Sequence, residues 1–233
     1  MSKTVVYSCV TGNYDKMSET ILASRAQPEE DVSYVLFTDG IDGERVHRAE
    51  GSDITWSVRP PHWKHQICRR RTARWHKLNS HVLFPDAEYT VWLDGSQRIK
   101  TIRPYYDLVA PYLVRHNIAT FKHPNRTCVF QEIEACKMRR KDNHALMDRQ
   151  AEAYRKASYP PFNGMVETAC LVRRNCIEVS RFNNVWWDQM VNHSYRDQLS
   201  FNYTAWMLKQ DYGLIPGCRD KSKFFDFVMH GST

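Results

Sequence analysis

Tyr89-Thr-Val-Trp-Leu-Asp-Gly-Ser-Gln-Arg98 is the stretch from which the rest of the chain can be read. Tyr89, Val91 and Leu93 alternate with Thr90 and Trp92, and nearly every residue ahead of Asp94 is β-branched or aromatic. That is the pattern of a short strand buried on both faces, ending at a carboxylate and a glycine. Open α/β sheets bind their ligands outside the carboxyl ends of the strands, so an acid delivered there stands where a ligand would be met. An isolated Asp-Gly would merely start a turn. The flanking segments give this one company.

Upstream, residues 3–11 read as a first strand stopped by Gly12-Asn13-Tyr14-Asp15, and Val32 to Thr38 as a second ending in Asp39-Gly40. Trp56 to Val58 is a third, short strand, which makes the Asp94 strand the fourth. Residues 66–84 have helical spacing and are closed by Pro85. On that helix Trp75, Leu78 and Val82 form the expected buried stripe, and Arg70, Arg74, Lys77 and His81 a separate basic stripe on the other side. A solvated helix face is the plain alternative for the basic stripe.

Downstream, Tyr105 to Val114 reads as helical and Ile118 to Phe121 as a strand. Asn143 is placed to cap a helix with Met147, Ala151 and Tyr154 on one face, ended before Pro160-Pro161. Met165 to Val172 is a strand, and Val179, Phe182, Trp186 and Met190 have helical spacing. So do Leu199, Tyr203 and Trp206, with Gly213 suited to the end of that last helix. Strands alternating with helices predict an α/β sandwich with a mainly parallel central sheet flanked by helices. Asp15, Asp39 and Asp94 each follow a strand, so a parallel sheet would bring three carboxylates to one edge.

A chain of 233 residues is long enough for one well-filled core, and we expect a single domain over residues 1–233. Hydrophobic residues at 42% and aromatic residues at 12% exclude a disordered chain. Lys and Arg number 33 against 26 Asp and Glu, a net charge of +7 that suits an anionic partner: a nucleotide, a nucleic acid, an acidic glycan or an anionic membrane surface. No signal peptide or membrane span is expected, and seven scattered cysteines without a C-x-x-C read as reduced thiols of a cytoplasmic protein.

Thr11-Gly-Asn-Tyr-Asp15, Phe37-Thr-Asp39, Arg71-x-x-Arg74-x-x-Lys77, Trp92-Leu-Asp-Gly95 and Arg196-Asp-Gln-Leu-Ser-Phe201 follow one another in order. Together they resemble the motifs of the glycosyltransferase-like family, a former domain-of-unknown-function group that includes plant mucilage-related hexosyltransferases. The resemblance runs from about Val5 to Trp206. It implies a GT-A-like, nucleotide-sugar-binding fold and, in most such enzymes, Mn²⁺ or Mg²⁺. Carried over residue by residue, Asp94 matches the first acid of a D-x-D signature, while Ser96 stands where the second acid is expected. A hydroxyl is a poorer ligand, and His230 is the late residue that would complete a metal shell of Asp94, Ser96 and His230.

The same resemblance points to Thr11, Gly12, Tyr14, Asp15 and Asp39 for the nucleoside. Asp94, through a divalent ion, with Arg70, Arg74 and Lys77 of the basic stripe, would neutralise the leaving diphosphate, and Arg71 and Gly95 complete the donor contacts. Asn163-Gly164 resembles the acceptor-side turn, whose free amides can meet sugar hydroxyls. Asp197 is the first candidate for the acid facing the reacting sugar, as general base in an inverting reaction or donor-sugar ligand in a retaining one. Glu167 is the second. Asp197 also stands where an acid favours a helix start for dipole reasons alone. The excess of positive charge favours an anionic acceptor, either a modified DNA base or an acidic glycan. Two other classes compete: a non-catalytic nucleic-acid-binding module using Arg69 to Arg74, and, last, a lipid amide hydrolase, for which no G-x-S-x-G elbow exists.

Overall fold

The computed structural model describes residues 3–12, 21–100 and 102–228. Among these, eight strands form one mixed sheet: β1 (Thr4–Val10), β2 (Val32–Thr38), β3 (Arg45–Arg48), β4 (Thr55–Arg59), β5 (Tyr89–Leu93), β7 (Ile118–Lys122), β8 (Val166–Arg174) and β9 (Gly213–Ile215). They lie in the order β3-β4-β2-β1-β5-β8-β7-β9. β4, β2, β1 and β5 run parallel, β7 and β9 pair in parallel, and β3, β8 and their neighbours are antiparallel. A second, small antiparallel sheet joins β6 (Gln97–Ile99) to β10 (Phe225–Phe227).

The period of two in β1 sets the layers. Val6 and Val10 face a core shared with Leu36, Trp56, Val91, Leu108 and Phe225. Val5, Tyr7 and Cys9 face the other core, with Phe37 and Trp92. That second face is covered by α1 (Arg69–Leu78), α2 (Ser80–Leu83), α5 (Ile177–Asn192) and α6 (Gln198–Leu208), which contribute Leu78, Leu83, Phe182, Trp186 and Phe201. A satellite core joins α3 (Val129–Met138) and α4 (His144–Lys156) to α6 through Ile133, Met147, Tyr154 and Tyr203. The Asn143 side chain does accept a hydrogen bond from the Leu146 amide, capping α4 as its sequence predicts.

Several expectations need correction. The 66–84 segment is two helices broken at Asn79, and Tyr105–Val109 is a π-helical turn running into a short helix, Ala110–Tyr112. The stripes hold only in part: Leu78 is buried as expected, but so is Lys77 of the basic stripe, while Val82, on α2, is 49% exposed. Trp75 joins a half-buried aromatic cluster with His62 and Trp63. Gly213 opens β9 rather than ending α6, which ends at Lys209 in a left-handed conformation (φ 53°). The exposed Arg45–Arg48 strand has a single apolar residue, Val46, too little for a pattern, and with it the Asp94 strand is the fifth rather than the fourth.

Candidate active site

Two cavities open at the carboxyl ends of β1 and β5. The first, about 400 Å³, is lined by Cys9, Val10, Thr11, Ala73, Trp92 and Gly95, and by Arg70, Arg139 and Arg140. The second, about 590 Å³, takes in His123, Glu132, Glu167, Thr168, Asp197 and Arg219. Arg74, Asp94, Ser96, Arg139, Lys141 and Arg196 line both. A ligand crossing that boundary would meet four cations and one carboxylate.

Behind the boundary lies a buried ionic network. Lys77, 1% exposed in its side chain, brings Nζ to 3.0 Å from Oδ1 of Asp94 and 2.7 Å from Oδ2 of Asp197. It also donates to Thr168 Oγ1 at 3.2 Å, and that hydroxyl donates to Asp197 at 2.7 Å. Arg74 places Nε 3.0 Å from Asp197 and NH1 3.7 Å from Asp94. Burial alone would raise the Asp197 carboxyl, but Arg74 and Lys77 outweigh it and hold the group well below the usual carboxylate range. Asp197 precedes α6 without capping it by its side chain; its carboxylate serves the two cations instead. Trp92 Nε1 adds a hydrogen bond of 2.8 Å to Asp94 Oδ1. The side-chain hydrogen bonds described for Asp94 thus both end on Oδ1.

A bulge aims the opposite wall. Between β7 and β8 the register jumps from Thr120↔Leu171 to Phe121↔Glu167, so residues 168–170 bow away from β7. The bow presents Glu167, Thr168 and Ala169 to the second cavity. Glu167 is partly buried and accepts the Arg219 amide at 2.8 Å, with Arg219 Nε 3.7 Å from its other oxygen. Desolvation raises its carboxyl above the ordinary glutamate value against the pull of Arg219. His123 and Glu132 sit in the same wall, with Arg126 bonded to Glu132.

The turn after α3 supplies the cations that the sequence reading missed. Lys141 N donates to Cys136 O and Arg140 N to Lys137 O, the paired bonds of a Schellman motif, with Arg140 left-handed at φ 50° where glycine is usual. Holding a non-glycine residue there costs about 1–2 kcal/mol. Arg70 donates to the Tyr195 hydroxyl at 2.5 Å, and that hydroxyl donates to the Lys141 carbonyl. Ser194 Oγ and the Tyr195 amide both bind Asp142, at 2.6 and 2.9 Å. A basic run closing a helix is the signal that sequence reading had available.

The remaining candidates scatter. Thr11 lines the first cavity and donates to the Arg69 carbonyl at 2.9 Å. Asp39 shares the sheet edge, but its carboxylate receives the Gly12 amide at 3.0 and 3.1 Å and does not line either cavity. Arg71 points to the end of α5, donating to the Met190 and His193 carbonyls. Asn163 and Gly164 form a turn outside both cavities, with Gly164 at φ 83°. Tyr14, Asp15 and His230 lie outside the described residues.

The expected divalent ion fits this donor set poorly. Asp94 is already matched by an ammonium and a guanidinium, and Ser96 offers only a hydroxyl. Among the described residues no three His, Cys, Asp or Glu side chains group to hold a metal.

A family model described as "TOD1/MUCI70, glycosyltransferase-like domain" matches residues 1–226. The "Probable hexosyltransferase MUCI70" of Arabidopsis thaliana is 28% identical over 214 residues, covering 85% of this chain and 36% of that protein. The chain therefore spans about a third of the length of that curated relative. Among solved structures, the glycosyltransferase GlyE of Streptococcus pneumoniae TIGR4 superposes with a TM-score of 0.50 at 13% identity, over 93% of this chain and 45% of GlyE. Its apo form gives 0.51 at 12% identity, over 92% and 45%. At that identity the likeness is one of fold.

Proposed function

The chain belongs to the TOD1/MUCI70 glycosyltransferase-like family, and from that premise we propose that it moves a sugar, most simply a hexose, from a nucleoside-diphosphate sugar to a hydroxyl acceptor. The carrying observation is the pair of cavities sharing a wall of Asp94, Ser96, Arg74, Arg139, Lys141 and Arg196. The first cavity, with Trp92, Val10 and Ala73 as apolar surface, suits the nucleoside. The shared cations suit the diphosphate, and the second cavity suits the transferred sugar and its acceptor.

In the step so arranged, the bond between the anomeric carbon and the β-phosphate oxygen breaks, and its electron pair leaves with the diphosphate. A new bond forms from the acceptor oxygen to the anomeric carbon, and the acceptor proton passes to a carboxylate. Glu167 suits that last role better than Asp197, because a raised carboxyl accepts a proton more readily than one held down by two cations. Asp197 then positions Arg74 and Lys77. Stabilising the charge that develops on the leaving group is the main contribution expected of the site.

The net charge of +7 supports an anionic acceptor, a modified DNA base or an acidic glycan. Seven unpaired cysteines support a reducing compartment such as the cytoplasm, and among the described residues no helix is long and apolar enough to cross a membrane. The test is a thermal-shift panel of UDP, GDP, CDP and ADP on wild type and Asp94→Asn, followed by a transfer assay with the matching nucleotide sugars. A nucleotide at a hundredfold its Kd should add about 2.7 kcal/mol of stability. No shift with any of the four would favour the non-catalytic nucleic-acid-binding module.

A further inference from the structure

We infer that protein cations, and not a divalent ion, neutralise the leaving diphosphate, and that Arg139, Lys141 and Arg196 are the groups that do so; this rests on the donor-site reading above. The expected metal set has one described carboxylate, and that carboxylate lies 3.0 Å from an ammonium. A divalent ion placed on Asp94 would find Oδ1 taken by Lys77 and Trp92, and on Oδ2 it would still sit beside the Lys77 and Arg74 charges, so like charges would oppose its binding. With Asp94 on the shared boundary stand three further cations without a carboxylate ion pair among the described residues: Arg139, Lys141 and Arg196 line both cavities together with Ser96.

Two details give these cations the character of a built site. Arg196 Nε is buried with no hydrogen-bond partner among the described residues, although Arg196 lines both cavities. The protein leaves part of this guanidinium's donor capacity unused, and a planar guanidinium on the cavity wall suits phosphate oxygens. The loop that carries Arg139 to Lys141 is also fixed from two sides, by Tyr195 on the Lys141 carbonyl and by Ser194 on Asp142. Tyr195 in turn takes a hydrogen bond from Arg70, so the loop is referenced to the helix that bears Arg74 and Lys77. Arg74, Arg139, Lys141 and Arg196 are thereby held on the wall common to both cavities, and an anion of two linked phosphates would neutralise them.

The experiment is calorimetric titration of UDP, GDP, CDP and ADP into wild type, Arg196→Gln and the double variant Arg139→Gln/Lys141→Gln, each in EDTA and in MnCl₂. We expect one nucleotide to bind wild type in EDTA with an affinity within about threefold of that in Mn²⁺. Both variants should bind it about tenfold more weakly in EDTA, the usual scale for a lost charge-assisted contact, with melting temperatures that confirm folding. Binding that requires Mn²⁺, or variants that bind as wild type does, overturns the inference and leaves the donor-site reading standing. Absence of binding under both conditions overturns the two together.

Discussion

Nζ of Lys77 lies 2.7 Å from Oδ2 of Asp197, and both side chains are at most 3% exposed. The pair joins α1 to the start of α6 and, through Asp94, to the end of β5. Removing one partner of a buried pair leaves the other charge unmatched, which typically costs about 3–5 kcal/mol. Lys77→Met should therefore destabilise strongly in urea unfolding, and Asp197→Asn in the same background should cost less than it does alone. Additive losses would show that the two groups do not act as a pair.

The same network sets a response to acid. Since the folded Asp197 carboxyl is held below its unfolded value of about 3.9, its contribution is complete above that pH and is lost as pH falls from there toward the folded value. Urea midpoints of wild type should drop more steeply below about pH 4 than those of Asp197→Asn. Parallel curves would remove the ion pair as the cause.

Glu167 should show its raised carboxyl in catalysis. The acid limb of kcat/KM should lie above the free glutamate value of about 4.3, because the ionised form is the one that accepts the proton. Arg219→Gln removes a cation that lowers this group, so the limb should move to higher pH. Glu167→Gln should cut turnover by about 10²–10⁴ and abolish the limb. A limb unchanged in Glu167→Gln would return the base role to Asp197 or to a residue outside this wall.

Asp94→Asn keeps an oxygen for Lys77 and Trp92 and so should fold, yet lose charge at the boundary of the two cavities. Turnover should fall by up to about 10²-fold through misplacement of the Lys77 and Arg74 cations that Asp94 holds, the scale for a shifted catalytic group. Wild-type turnover would separate the acid from the chemistry.

Arg140 sits in a left-handed conformation that glycine adopts freely. Arg140→Gly should raise stability by about 1 kcal/mol, read as a higher urea midpoint, while weakening nucleotide binding through the lost charge. A gain in stability without weaker binding would mean that Arg140 shapes the turn and does not meet the ligand.

The long periodic stretches were legible in the sequence: β1, β2, β5, α4 and α5 follow their apolar spacing, and Asn143 announces its cap. Three-residue strands such as β6, β9 and β10 offer too few alternations to register. Lys77 was harder for a physical reason. Spacing assigns an apolar stripe to the inside, but a lysine can be buried if two carboxylates from distant segments meet it, and those contacts lie beyond any local pattern. The Arg139–Lys141 loop was hidden likewise, because an arginine occupies the position where a glycine would have signalled the helix end.

Strand β10 hydrogen-bonds to β6, the three residues that follow Ser96, and the Val228 amide donates to the Ser96 carbonyl at 3.0 Å. Phe225 enters the core beneath, and Phe227 lines the second cavity. The residues around Asp94 leave the ribosome long before that strand does. Both cavities, however, draw Arg139, Lys141 and Arg196 from late in the chain, so neither is complete until most of the domain has been made. The second cavity waits in addition for Phe227, so its wall is the last part of the site to be synthesised.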